Sequence, residues 1–264
     1  MPVSVQTFGT IAEANRALSA SRGAYVMGGG TTLMRAINEA DSDVETLIRI
    51  TDPQLSQIRL EGSAVRIGAH VTMRDIAGSR ELAFLAPVAR VIGGPQVRSA
   101  ATAAGNLFSQ QPYGDFAGAL LACGAQVELG DGRRTSVEDV LRSPPRSIVA
   151  AILVTAPADG LAFKKVTRVK PKGVSLMSIS AVVPRRGGRV DNPRIVFNGM
   201  AEKPARSNGA ERALAGQPLS NETIARAAAA AADGFTPRDD SHASGWYRRE
   251  VAGVHLSRLL SELT

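Results

Sequence analysis

Two glycine-bearing loops constrain this chain more than any other feature. The first is Met27-Gly28-Gly29-Gly30-Thr31-Thr32-Leu33, set between an apolar run and a short helical pattern. The second is Thr102-Ala103-Ala104-Gly105-Asn106, followed by Pro112, Gly114 and Asp115. Glycine lets a backbone approach a ligand closely and turns successive N–H groups toward an anion. Two such loops can hold the two ends of a pyrophosphate, so the pattern points first to a large phosphate-bearing cofactor.

Neither loop is decisive alone. Gly28 and Gly30 fit the first two positions of G-x-G-x-x-G, but Leu33 occupies the third, and no Gly-Lys-Ser/Thr follows to make a P-loop. Three glycines before a helix serve equally as a turn or as a phosphate cradle. Thr31 and Thr32 favour the cradle, because hydroxyls and helix N-terminal N–H groups both donate to phosphate oxygens. In the second loop, Asn106 can stabilise a turn and Asp115 can cap the helix after it. A carboxylate there repels phosphate, so any ligand role for Asp115 is to accept from hydroxyls or ring nitrogens.

The 264 residues suit one large domain or two modest ones, with 44% hydrophobic and 21% charged residues as in ordinary globular proteins. No apolar stretch reaches the roughly 20 residues of a membrane span. Met1 to Thr10 carries no secretory pattern, and the single cysteine, Cys123, excludes an intrachain disulfide; a reducing cytoplasm is the expected compartment, with export as part of a complex as the alternative. A net charge of +7 suits an anionic ligand, an acidic partner protein or nucleic acid. Nucleic acid is disfavoured: seven Phe, three Tyr and one Trp interleave with no basic run. The spread of basic pairs reads as a solvated positive face or a docking surface for an acidic partner.

Thr10-Ile11-Ala12-Glu13 predicts a capping box opening a helix over 11–19. A strand at 24–27, a short helix carrying Leu33, Met34 and Ile37, and a strand at 45–50 complete an αβαβ unit. A hairpin is expected at 58–67, a helix through Leu82, Leu85, Val88, Val91 and Ile92 that stops at Gly93-Gly94-Pro95, and a helix at 116–122. Strands follow at 127–129 and 148–155. Pro157-Ala158-Asp159-Gly160 marks a boundary. Beyond it, strands at 163–169, 176–183 and 194–198 precede helices at 208–214, 220–232 and 244–260. The fold class is α+β: mixed sheets with flanking helices over 1–159, then a small antiparallel sheet with helices over 160–264.

His70, His242 and His255 show no metal-ligand spacing, and Cys123 lacks a CxxC partner and reads as a packed thiol. No Ser-His-Asp or Cys-His set can be assembled. The chain offers no catalytic residue and no metal site of its own, so any catalysis needs a cofactor to carry the chemistry.

The ordered set of motifs resembles the FAD-binding (medium) subunit of the molybdenum hydroxylases, the family of the carbon monoxide dehydrogenase medium subunit and the xanthine dehydrogenase flavin domain. That family carries an A-G-G-T/H-x-L loop, then T-x-G-G-N, N-L-x(4)-P-x-G-D and a segment like L-L-A-x-G-A-x-V. The counterparts here are Gly28 to Leu33, Thr102 to Leu107, Pro112-Tyr113-Gly114-Asp115 and Leu120 to Val127. Ile67-Gly68-Ala69 and the run from Ile92 to Arg98 match as well. Past the boundary the match continues at Ala162-Phe163-Lys164, Ala205-Arg206, Glu211, Leu214-Ala215-Gly216, Ser244, Tyr247-Arg248 and Arg258. Three positions depart from the pattern: Ala104 replaces the first glycine of the usual pair, Gly28 stands where alanine is common, and Thr32 where Asp or Ser is common. Because alanine keeps its N–H, backbone donation by the second loop survives unless residue 104 needs a positive φ.

The resemblance implies bound FAD, with Met27, Gly28, Gly29, Gly30, Thr31, Thr32, Leu33, Thr102, Ala103, Ala104, Gly105 and Asn106 at the pyrophosphate. Asp115 and Lys164 are implied at the ribityl, ribose or flavin end. It further implies an iron–sulfur small subunit with two 2Fe-2S clusters and a large subunit with the molybdenum cofactor. Electrons would pass from those clusters through FAD to an external acceptor. One cysteine cannot ligate a Cys₄ cluster, which agrees with that division of labour. Two rival readings are a stand-alone flavoenzyme of the same fold and an assembly subunit that has lost its flavin.

Overall fold

The computed structural model describes residues 3–40, 43–110, 112–169 and 173–264. The chain divides into two compact units, Met1–Ser109 with Gly124–Thr155, and Gln110–Cys123 with Ala156–Thr264. Composition marks the passage near 156–160 but gives no sign that residues 110–123 leave the first unit.

In the first unit, β1 (Ser4–Phe8), α1 (Ile11–Ala20), β2 (Ala24–Val26), α2 (Leu33–Asn38) and β3 (Thr46–Ile50) build a parallel sheet of order β1-β3-β2. Thr10 caps α1 by accepting from Glu13 N at 3.3 Å. Its hydroxyl donates to Glu13 Oε2 at 2.8 Å, so the carboxylate of the predicted box takes the side chain. β1 was not foreseen: Ser-Val-Gln-Thr shows no apolar pattern because it is an exposed edge strand. Ala14, Ile48, Ile50, Leu55 and Ile148 form the core against which α1 packs.

The unit continues with β4 (Ile58–Glu61), β5 (Ala64–Gly68), α3 (Met73–Gly78), α4 (Ala86–Arg90), α5 (Pro95–Ala100) and α6 (Ala103–Leu107). The helix expected across 82–92 is shorter, because Pro87 lies in its first turn and lacks the N–H that an extension N-terminal to it needs. Leu82, Leu85 and Val88 are nonetheless fully buried, as their spacing requires. The helix ends at Arg90 with Val91 as its cap; Gly93, at φ +49°, turns the chain after it and Pro95 opens the next helix.

The chain then enters the second unit for α7 (Asp115–Ala122), every residue of which is buried. It returns to the first for β6 (Gln126–Leu129), β7 (Arg134–Ser136), α8 (Val137–Arg142) and β8 (Val149–Thr155), giving a sheet of order β4-β5-β8-β6-β7. The rest of the second unit holds β9 (Ala162–Thr167), β10 (Ser175–Val182), the hairpin β11 (Arg185–Arg186) and β12 (Arg189–Val190), β13 (Arg194–Asn198), β14 (Ala205–Arg206), α9 (Asn208–Leu214), α10 (Asn221–Ala229) and α11 (Gly245–Ser261). Its antiparallel sheet runs β14-β13-β10-β9. One face, carrying Val166, Met177, Ile179, Ile195 and Phe197, packs with Ala210, Ile224 and Leu256 of the three terminal helices. The other face receives α7, whose Gly118 sits where a Cβ would lie 3.7 Å from Val196 and Pro204. The α+β class holds in both units.

Candidate functional site

The first loop begins where β2 ends. Met27 N donates to Ile48 O at 2.9 Å, and the next intrachain amide bond is Met34 N to Gly30 O at 3.0 Å. Among the described residues, the amides of Gly28, Gly29, Gly30, Thr31, Thr32 and Leu33 donate no hydrogen bond. Six successive donors therefore stand open at the start of a short helix. Gly30 reaches φ +68°, a conformation suited to glycine. Thr31 and Thr32 are exposed, and Thr32 makes no cap bond to its own helix, so both hydroxyls are available.

The second loop packs directly against the first. A Cβ on Gly29 would lie 1.6 Å from Ala100 O, and one on Gly28 would lie 2.6 Å from Thr102 Oγ1. The two motifs thus pack as one site, with Gly29 against the Ala100 backbone and Gly28 against the Thr102 side chain.

The backbone of the second loop is otherwise engaged. Thr102 to Asn106 is a capped helix start, with Thr102 Oγ1 accepting from Gly105 N at 3.2 Å. Ala103 N donates to Val71 O at 2.8 Å, Ala104 N to Ala69 O at 3.2 Å and Asn106 N to Thr102 O at 3.0 Å, while Met73 N donates back to Ala101 O at 2.9 Å. The amides of Ala103, Ala104, Gly105 and Asn106 are spent inside the fold, whereas the first loop holds a continuous run of open amides. Ala104 has no positive φ, so its methyl costs nothing conformationally. Segment 69–73, whose Ala69 closes the Ile67-Gly68-Ala69 motif, is the strand-like brace of the site. What the second loop presents outward is the exposed Gly105.

Asp115 lies in the second unit and is 2% exposed. Ser178 Oγ donates to its Oδ1 at 2.7 Å, Asn198 Nδ2 to the same oxygen at 3.0 Å, and Lys165 Nζ lies 3.0 Å from Oδ2. The carboxylate joins α7 to β9, β10 and β13. Strand alternation sends the neighbouring lysines to opposite faces. Lys165 reaches Asp115, whereas Lys164 turns to the helical face, 3.8 Å from Glu262. Lys164 and Asp115 are not brought together. The signal was the pattern Leu176-Met177-Ser178-Ile179-Ser180, whose serines mark the polar face that Lys165 shares through its pairing with Ser178.

Burial pushes the Cys123 thiol up to about 12 against the opposing pull of Arg194, so it is protonated at neutral pH and is no nucleophile. His70 is lowered by burial, partly countered by Asp52. His255 is lowered by burial and by Arg258 and Lys164. No group of His, Cys, Asp and Glu among the described residues is placed to hold a metal. Among the described residues no helix is long and apolar enough to cross a membrane.

Comparison with known proteins decides what this arrangement is. Residues 2–155 match the family model described as the FAD binding domain in molybdopterin dehydrogenase. The chain belongs to that family. Residues 162–263 of this FAD-binding chain match the CO dehydrogenase flavoprotein C-terminal domain. The carbon monoxide dehydrogenase medium chain of Hydrogenophaga pseudoflava is 28% identical over 254 residues, 90% of this chain and 88% of the relative. The glyceraldehyde dehydrogenase medium chain of Sulfolobus acidocaldarius is 25% identical over 80% of this chain and 79% of its own. Among solved structures, a carbon monoxide dehydrogenase chain from Hydrogenophaga pseudoflava superposes with a TM-score of 0.91 at 27% identity, covering 99% of this chain and 96% of that one. The fold is shared with a quinoline 2-oxidoreductase chain of Pseudomonas putida 86, at a TM-score of 0.87 and 21% identity over 100% of this chain and 97% of that one. The residues present fit FAD: open amides, paired hydroxyls and glycines without side-chain cover are what a pyrophosphate needs.

Proposed function

We propose that this chain is the FAD-carrying electron-transfer subunit of a multi-subunit molybdenum hydroxylase, with residues 1–159 as the flavin-binding part and 160–264 as the C-terminal part. The observation that carries the reading is the run of open amides from Gly28 to Leu33, backed by close packing on Ala100 and Thr102. The first loop binds the pyrophosphate through these amides and the hydroxyls of Thr31 and Thr32. Thr102 to Asn106 supplies the rigid wall behind it and, at Gly105, an exposed surface without a side chain. Asp115, held by Ser178, Asn198 and Lys165, anchors α7 within the second unit.

When bound, FAD supplies redox chemistry, linking 2Fe-2S clusters of an iron–sulfur small subunit to an external acceptor, with the molybdenum cofactor in a large subunit. That medium chains of carbon monoxide and glyceraldehyde dehydrogenases are relatives supports this assembly. A cytoplasmic location follows from the same reading.

The test is release of the cofactor by acid and its chromatography. FAD at one per chain is expected. FMN, or no flavin in a folded and fully assembled preparation, overturns the proposal.

A further inference from the structure

Helix α5 leads into the wall behind the first loop, yet none of its residues is buried. Core packing therefore does not fix its position; hydrogen bonds at its two ends do. At the C-terminal end, Ala101 N donates to Val97 O at 2.7 Å and Ala101 O accepts from Met73 N at 2.9 Å. At the N-terminal end, the Arg98 guanidinium reaches back to the turn before the helix. Its Nη1 donates to Gly93 O at 2.6 Å and to Ile92 O at 3.3 Å. Among the described residues that guanidinium has no carboxylate partner. Gly93 is exposed, so water would satisfy its carbonyl without any side chain. What Arg98 adds is a fixed direction for the turn, in which Gly93 takes φ +49°.

The position of α5 matters because of what its end touches. The Ala100 carbonyl packs so closely on Gly29 that a Cβ there would lie 1.6 Å away. Gly29 belongs to the run of open amides. Arg98 and Ala100 are about half a helical turn apart, so a tilt at the turn is passed directly to the backing of Gly29. We propose that Arg98 is a positioning residue for the cofactor: by stapling the turn Ile92-Gly93-Gly94 it sets α5, and through Ala100 it sets how the amides of Gly28 to Leu33 meet the pyrophosphate. The proposal rests on the FAD reading above and adds a residue that acts without touching the cofactor.

The experiment uses the full chain, stripped of flavin and titrated with FAD by its fluorescence change. Arg98→Met should weaken FAD about tenfold, as for one lost charged hydrogen bond. The melting temperature of the apo chain should stay unchanged, because α5 buries nothing. Arg98→Lys should recover part of the affinity, since an ammonium still donates to one of the carbonyls. The loss should persist at about 1 M salt, where charges are screened beyond about 3 Å. Gly93→Ala disturbs the same turn by another route: its Cβ would lie 2.7 Å from Val97 Cγ1, in a backbone conformation strained for alanine. Its loss and that of Arg98→Met should not add in the double variant. Wild-type affinity in Arg98→Met, additive losses, or a loss that disappears at high salt overturns the positioning role. A lower apo melting temperature with unchanged affinity in the folded protein does so as well. Acid release of the wild-type cofactor tests the underlying reading separately: FAD there, with normal binding by Arg98→Met, sinks the Arg98 inference alone.

Discussion

At the scale of single residues, glycine does two different jobs in the paired loops. Gly29 has no room: a methyl there would overlap the Ala100 carbonyl at 1.6 Å. Gly105 is exposed inside a short helix, and its methyl would meet only Thr102 Oγ1, at 2.8 Å. Gly29→Ala should therefore lower both folding stability and flavin retention. Gly105→Ala should leave the fold intact or up to about 1 kcal/mol more stable from helix propensity, less the adjustment of Thr102. If the flavin approaches over that surface, its retention still falls. Thermal melting and flavin absorbance on the same samples separate the cases. A Gly105→Ala chain with wild-type flavin affinity removes residue 105 from the site.

At the scale of elements, the decisive piece is α7. It is wholly buried, and its first residue is a carboxylate tied to three strands. Removing one partner of a buried ion pair costs about 3–5 kcal/mol, because the other charge stays uncompensated. Lys165→Met should lose about that much in urea unfolding. Adding Asp115→Asn should recover a good part, since the amide oxygen still accepts from Ser178 and Asn198 without bearing a charge. If Lys165→Met unfolds at the wild-type urea midpoint, the pair is not what anchors α7. The helix itself was legible in the sequence as an apolar run after a glycine, but its docking was not. Phe116 to Ala122 would serve as a core helix in either unit. The partners that tie it to the second are far away in the chain: Ser178 and Asn198, 63 and 83 residues on, together with Lys165. The expected helix over 82–92 shows the converse limit: apolar spacing correctly named its buried residues, while Pro87 set its length.

At the scale of the whole molecule, the site gathers its open donors in one loop and leaves the rest of the unit self-sufficient. Ligand binding should then stabilise without reorganising the sheets. Free FAD at 100 times its dissociation constant should add about 2.7 kcal/mol to the apo chain, visible as a melting shift of several degrees. An unshifted melt in a chain shown to be folded and flavin-free argues for the flavin-free assembly subunit. Lacking cluster ligands and an acid–base pair, the isolated chain should keep its flavin oxidised when an alcohol, aldehyde or NAD(P)H is added. Rapid reduction by one of them overturns the subunit reading in favour of a stand-alone flavoenzyme. The sequence by itself determined the α+β class, most elements and the two loops, because glycine, capping and periodicity act over a few residues. Tertiary structure decided which loop keeps its amides free, which of two adjacent lysines meets Asp115, and which unit owns α7. Each depends on hydrogen bonds between residues far apart in the chain, such as Ala104 with Ala69 and Lys165 with Asp115. A local pattern cannot specify such pairings, because every candidate partner offers the same donor or acceptor until packing brings one of them within 3 Å.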